Sequence, residues 1–164
     1  MEKKILTTIL NNTYTLSQLR KRVNILKNYL TLRFFGNSQE WEKQANQFDP
    51  EEIAWLQNLD ETFWQNFNKD NVYPIFEEIE KNLAKANILN VYLPFETNSQ
   101  IAATLGQYMR KLFDRVILFD IKLDPSLIAG CALSWQGIYK DYSLRKKIAD
   151  NRIQLMESFK KFLK

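Results

Sequence analysis

Val116-Ile117-Leu118-Phe119-Asp120-Ile121-Lys122-Leu123-Asp124-Pro125-Ser126 decides how this chain folds. Its first eight residues are β-branched or mostly apolar and read as a strand. Asp124-Pro125-Ser126 then supplies turn chemistry, with proline presetting φ and aspartate bonding the backbone ahead of it. So apolar a strand needs a sheet around it, and the flanking sequence supplies one. Downstream, Ala129 to Trp135 and Ile138 to Tyr139 read as two more strands, joined at Gln136-Gly137 with glycine at the permissive hairpin position. Upstream, Ile88-Leu89-Asn90-Val91-Tyr92-Leu93 reads as a strand closed by Pro94. Between these lies a helix capped by Asn98 or Ser99 and carrying Ile101, Leu105, Tyr108 and Leu112. Asp141 or Ser143 caps a terminal helix with Leu144, Ile148, Leu155, Phe159 and Phe162 on one stripe. The order is β-α-β-β-β-α, a small mixed sheet with helices against it and a long C-terminal helix.

Before residue 87 the periodicity is different. Leu16, Leu19, Val23, Leu26 and Leu30 recur at three- and four-residue intervals, which predicts a helix. Thr15 is its N-cap, Gln18 sits at the capping-box position, and Gly36 with Asn37 ends it. A short acidic helix is expected over Ser38 to Gln47. Asp49-Pro50-Glu51-Glu52 then combines an N-cap, a proline at the first helical position and acids in the first turn. Ile53, Leu56, Phe63 and Phe67 give one helical stripe, widened by Trp55, Leu59 and Trp64. Pro74 opens another helix with Ile75, Ile79 and Leu83 on one face. The expectation is an α+β chain: an N-terminal helical bundle over residues 1–86 and an α/β lobe over residues 87–164.

The 164 residues carry a net charge of +4, unevenly distributed. Residues 1–35 hold +6, residues 36–100 hold −8, residues 101–141 hold +1 and residues 142–164 hold +5. Basic ends around an acidic middle suggest charged partner surfaces. A nucleic-acid-binding module would carry its basic excess as one field, and no strand alternates aromatic with basic residues for base stacking. No stretch approaches eighteen apolar residues, so no membrane span is expected. Met1 to Leu10 has an apolar run broken by threonines and followed by Asn11-Asn12, which reads as a mature N-terminus rather than a signal peptide. The single cysteine, Cys131, excludes an internal disulfide, points to a reducing compartment and reads as a small buried filler.

Histidine is absent. With it go the usual general base near neutral pH, any Ser-His or Cys-His pair and any histidine metal site. Neither the dinucleotide-binding nor the P-loop glycine pattern occurs. Asp120 and Asp124, four residues apart, are the one conceivable acid pair. The blander reading has Asp124 starting the turn and Asp120 meeting solvent or a lysine. The expectation is a protein with no catalytic, cofactor or metal site of its own.

The segment Val116 to Cys131, with Asp124-Pro125-Ser126-Leu127-Ile128-Ala129-Gly130, resembles the δ subunit of F-type ATP synthases, the oligomycin-sensitivity-conferring protein of mitochondria, where a strand runs into D-P-x-L-I-G-G. Gly137-Ile138-Tyr139-Lys140-Asp141-Tyr142-Ser143-Leu144 is similar to that family's hairpin leading into D-G-S and the last helix. The resemblance covers residues 88–164. Ala129 replaces the first glycine of the pair, Tyr142 replaces the glycine of D-G-S, and the N-terminal 86 residues do not align with the family's bundle.

The resemblance implies a non-catalytic stator subunit. It would link the catalytic α/β head to the peripheral stalk of b-type subunits and resist the torque of rotation during proton-driven ATP synthesis. It implies protein partners, N-terminal segments of α and b-type helices, and a place in the cytoplasm against the inner face of the cell membrane as part of a complex. Asp124, Pro125, Leu127, Ile128, Gly130, Gly137, Asp141 and Ser143 would then be scaffold residues. Two surfaces are candidates for binding. Arg145, Lys146, Lys147, Arg152, Lys160, Lys161 and Lys164 surround the apolar stripe of the terminal helix and suit an acidic helix. Trp41, Trp55 and Trp64, with Phe63 and Phe67, could line a groove for an amphipathic helix. A stand-alone adaptor of the same fold is the alternative; a nucleic-acid-binding module ranks last.

Overall fold

The computed structural model describes residues 2–36, 38–84, 88–114 and 116–162; Met1, Asn37, Lys164 and the expected boundary near residue 87 lie outside them. The chain divides into two compact units, Met1–Ala86 and Asn87–Lys164.

The first unit is helical throughout. Its elements are α1 (Glu2–Asn11), α2 (Leu16–Phe35), α3 (Ser38–Ala45), α4 (Pro50–Gln57), α5 (Glu61–Trp64) and α6 (Val72–Ala84). The first ten residues, unremarkable by periodicity, contribute Ile5 and Ile9, one helical turn apart and both buried. Helix α2 is the spine. Its stripe of Leu19, Val23, Leu26 and Leu30 is buried, together with Ile25, and Thr15 accepts a hydrogen bond from the Gln18 amide. The reciprocal arm of the capping box is shifted by one residue, since Gln18 Oε1 accepts from Tyr14 N rather than Thr15 N. Phe76, Ile75 and Ile79 of α6 close the core.

A buried ion pair sits in this core. Arg22 Nε donates to Glu52 Oε2 at 2.7 Å, and both side chains are 7% exposed. The same guanidinium donates to Asn12 O at 2.8 Å and Thr13 Oγ1 at 2.9 Å. It lies over the Trp55 ring, 4.7 Å from the centroid. Such a fork of donors satisfies a charge that would otherwise be costly to bury. It ties α2, α4 and the α1–α2 turn together.

Two expectations for this unit are corrected. The stripe from Ile53 to Phe67 is not one helix. α4 stops at Gln57, and Asp60 caps a new short helix by accepting from Phe63 N at 2.7 Å. An aspartate able to bond the backbone ahead of it competes with helix continuation. Asp49 precedes α4 but makes no capping bond. Its carboxylate accepts from Lys21 Nζ at 2.7 Å instead, and that bond raises the Lys21 pKa.

The second unit contains β1 (Ile88–Leu93), α7 (Ser99–Phe113), β2 (Leu118–Leu123), a 3-10 turn (Pro125–Leu127), β3 (Ala132–Trp135), β4 (Ile138–Asp141), α8 (Leu144–Asp150) and α9 (Arg152–Phe162). The four strands form one sheet in the order β2-β1-β3-β4. β1 and β2 are parallel and need the α7 crossover between them, while β1–β3 and β3–β4 are antiparallel. Asn98 caps α7 by accepting from Ile101 N. Gln136 and Gly137 join β3 to β4 with φ of 49° and 82°. Positive φ at both central residues is the primed turn that matches strand twist.

Paired residues share a face of the sheet. Leu89, Val91, Phe119, Ile121, Leu133, Trp135, Ile138 and Lys140 therefore lie on one side; Asn90, Tyr92, Asp120, Lys122, Ser134 and Tyr139 lie on the other. The first side is apolar, the second mostly polar.

Three expectations are corrected here. β3 begins at Ala132 rather than Ala129 because Ile128 and Gly130 adopt φ of 68° and 84°, which no strand allows. Helix α7 turns its stripe outward: Ile101, Tyr108 and Leu112 are exposed, and Gly106 is the buried residue. The terminal helix is broken at Asn151, whose amide side chain donates to Lys147 O at 2.8 Å and caps the first piece. No residue of α8 or α9 is buried. The bond from Leu144 N to Ala129 O at 2.9 Å fastens the start of α8 to the turn, and the stripe finds no sheet beneath it.

Candidate functional site

The two motifs of the second unit fold onto each other. Asp124 Oδ1 accepts from Ser126 N at 3.1 Å and from Ser126 Oγ at 2.5 Å, closing the turn. Arg145 bridges the motifs: Nη1 donates to Ser126 Oγ at 2.6 Å and Nη2 to Asp141 Oδ2 at 3.3 Å. Asp141 Oδ1 accepts from Ser143 N at 2.8 Å. Ser143, fully buried, caps α8 by accepting from Lys146 N. Bonds from its side chain and backbone, with Arg145 contributing less, hold the Asp141 carboxyl below the usual carboxylate range.

Backbone geometry explains the glycines. A Cβ on Gly130 would stand 2.5 Å from Tyr142 O, so the two motif strands approach closer than any side chain permits. A Cβ on Gly137 would meet nothing within 4 Å, so there only φ matters. Leu127 is fully buried beneath the knot, whereas Ile128 is exposed at a positive φ rare for a β-branched residue. Pro125 opens the 3-10 turn. Asp120 lies 3.7 Å from Lys122 and Asp124 accepts from Ser126, so each aspartate of the conceivable acid pair has its own partner. Cys131 is half-buried, and its carbonyl accepts from Tyr142 N. The motif residues thus build a scaffold. Arg145, read from sequence as a free cation, belongs to that scaffold; its spacing of four from Asp141 was the available signal.

Above the scaffold lies an apolar groove of about 360 Å³. Leu89, Leu133, Trp135, Ile138 and Lys140 from one sheet face form its floor, Met109 and Phe113 of α7 one wall, and Ile117 and Tyr142 its ends. Helix α7 covers only part of that face, and the part toward β3 and β4 stays open. Sequence reasoning missed this groove because its apolar residues come from four separate elements and read one by one as ordinary core.

The cationic surface continues from Tyr142 into α8 and α9. Lys146 pairs loosely with Asp150 at 3.7 Å. Lys147, Arg152, Lys160 and Lys161 are exposed, interleaved with exposed Ile148, Ile153, Leu155, Met156, Phe159 and Phe162. Of the three candidate groove tryptophans in the first unit, one is buried and two are half-buried. Trp55 is buried under Arg22. Trp41 and Trp64 both pack on Tyr29, with ring centroids 5.1 Å and 5.0 Å away, and Trp64 Nε1 donates to Leu59 O. Aromatic pairing absorbs them into the bundle.

Among the described residues no helix is long and apolar enough to cross a membrane, and no group of three or more His, Cys, Asp or Glu side chains comes together to hold a metal. The sequence matches no protein-family model and no curated protein.

Proposed function

We propose that this chain is a non-catalytic coupling subunit of the δ type, joining the α/β head of an F-type ATP synthase to its b-type stalk and resisting torque. The observation that carries the reading is the pairing, in the second unit, of a rigid motif knot with two open surfaces. The groove over β3 and β4 has the apolar floor and flanking helix that suit an amphipathic helix. Beyond the bridging Arg145, the exposed cations of α8 and α9 begin at Lys146, four residues after the groove residue Tyr142, and favour an acidic partner. Trp41 and Trp64, half-buried in the first unit, remain the candidate lining for a grip on α. A stand-alone adaptor would use the same groove with different partners.

The test is a pull-down with the full chain as bait from cells containing the synthase. Recovery of α and b-type subunits is expected. Ile138→Asp, placed in the groove floor, should lose the b-type subunit and keep α. Recovery of neither subunit by the wild-type chain defeats the stator reading, and reproducible recovery of an unrelated protein through the same groove establishes the adaptor.

A further inference from the structure

The sheet has two edges, β4 and β2. β4 has four residues and ends in the motif knot. β2 has six, Leu118–Leu123, and among the described residues no strand pairs with its outer side. An open edge presents unpaired backbone donors and acceptors that template further pairing. Charged side chains on an edge, lysine above all, guard it because a second copy brings the same charge to the same place. β2 carries one charge of each sign, so that repulsion is replaced by complementarity in one register. It places Asp120 and Lys122 two residues apart on the polar face, with Ile121 between them on the other face.

We infer that the outer edge of β2 pairs antiparallel with the same edge of a second copy of this chain, about a two-fold axis through Ile121. In that register Asp120 stands opposite the partner's Lys122, and Lys122 opposite the partner's Asp120. Ile121 meets its own counterpart, and the backbone of Phe119, whose side chain is buried within its own unit, stands opposite the partner's Leu123. Leu123 is 51% exposed in the single chain. The charges gain by the exchange. Along one strand they are about 6.6 Å apart at the backbone, whereas directly opposite residues have Cβ atoms about 4.5–5.5 Å apart. The long intrastrand contact of 3.7 Å reflects that separation. Both faces remain continuous across the axis, so an eight-stranded sheet results with its apolar side on one face. This interface uses neither the groove nor α8 and α9, and it stands apart from the proposed coupling role.

The test measures the mass of the full chain by analytical ultracentrifugation across a concentration series. The wild type is expected to show reversible dimers. Asp120→Lys and Lys122→Asp each set like charges opposite one another at two places and should weaken association by about ten-fold. An equimolar mixture of the two variants restores complementary pairs and should associate as the wild type does. So should the double exchange within one chain, which also guards against a single variant that folds poorly. A wild type that stays monomeric at high micromolar concentration overturns the inference. So do single variants that dimerise unchanged, or a mixture that shows no recovery.

Discussion

The two units use their apolar side chains in opposite ways. Among the described residues, fifteen of the twenty-two buried apolar side chains belong to the first unit, whereas eighteen of the twenty large exposed ones belong to the second. Both units are under ninety residues, so size does not explain the difference. The bundle closes its core on itself, adding even an ion pair and Trp55 to the interior. The sheet unit is stable through a hydrogen-bonded knot and leaves the groove, the α7 stripe and the terminal helices uncovered. Under the proposed coupling role, these open apolar surfaces are what a partner would cover. A unit with a closed core thus precedes one with uncovered apolar faces.

Truncating one phenylalanine in each unit is the most direct challenge to that contrast. Phe76→Ala, in the bundle core, should cost about 3–5 kcal/mol in denaturant unfolding. Phe159→Ala, on α9, should change stability by no more than about 0.5 kcal/mol. Equal losses would mean α9 is covered after all. Arg22→Ala strands Glu52 in the core and should cost about 3–5 kcal/mol, while replacing the pair together by Met and Leu should recover most of that. A double variant as unstable as the single one would show that the pair contributes more than mutual neutralisation. In the sheet unit, Gly137→Ala should cost about 1–2 kcal/mol for its left-handed backbone. Gly130→Ala bears that strain and an overlap with Tyr142 O as well, so it should cost more. Trp135 emission follows both, because the other three tryptophans lie in the first unit.

The smallest effect is a pH dependence. Asp141 has a pKa below its ordinary 3.8 in the folded chain, chiefly through Ser143. The stability it contributes is therefore complete above that ordinary value and lost as the pH falls through the lowered one. Asp141→Asn should be less stable than wild type near neutrality, and the gap should narrow in that acidic window. A gap that stays constant as the solution is acidified would remove Asp141 from the knot.

Strands and caps were legible because they are local. Asn98, Asp124 and Ser143 cap or close turns through atoms two or three residues away, and the alternation around Gln136-Gly137 dictates a hairpin. Long-range pairings were not. Nothing near Arg22 in sequence announces Glu52, thirty residues on, and Arg22 reads as one more charge on a basic helix. Periodicity also misjudged orientation: the stripe at Ile101, Leu105, Tyr108 and Leu112 is apolar, yet Gly106 faces inward. A three-to-four spacing locates an apolar face without saying whether this chain covers it. For the same reason the site was half legible. The scaffold motifs were visible as turn chemistry, and the groove, assembled from β1, α7, β3 and β4, was not.

The break at Asn151 carries a mechanical consequence. A pull applied at Phe162 would meet this break before it met the sheet. Beyond the break, two backbone hydrogen bonds, Tyr142 N to Cys131 O and Leu144 N to Ala129 O, both 2.9 Å long, join the Arg145 bridge in tying the start of α8 to the turn. Whether force would unzip these bonds singly or shear them together depends on the direction of tension.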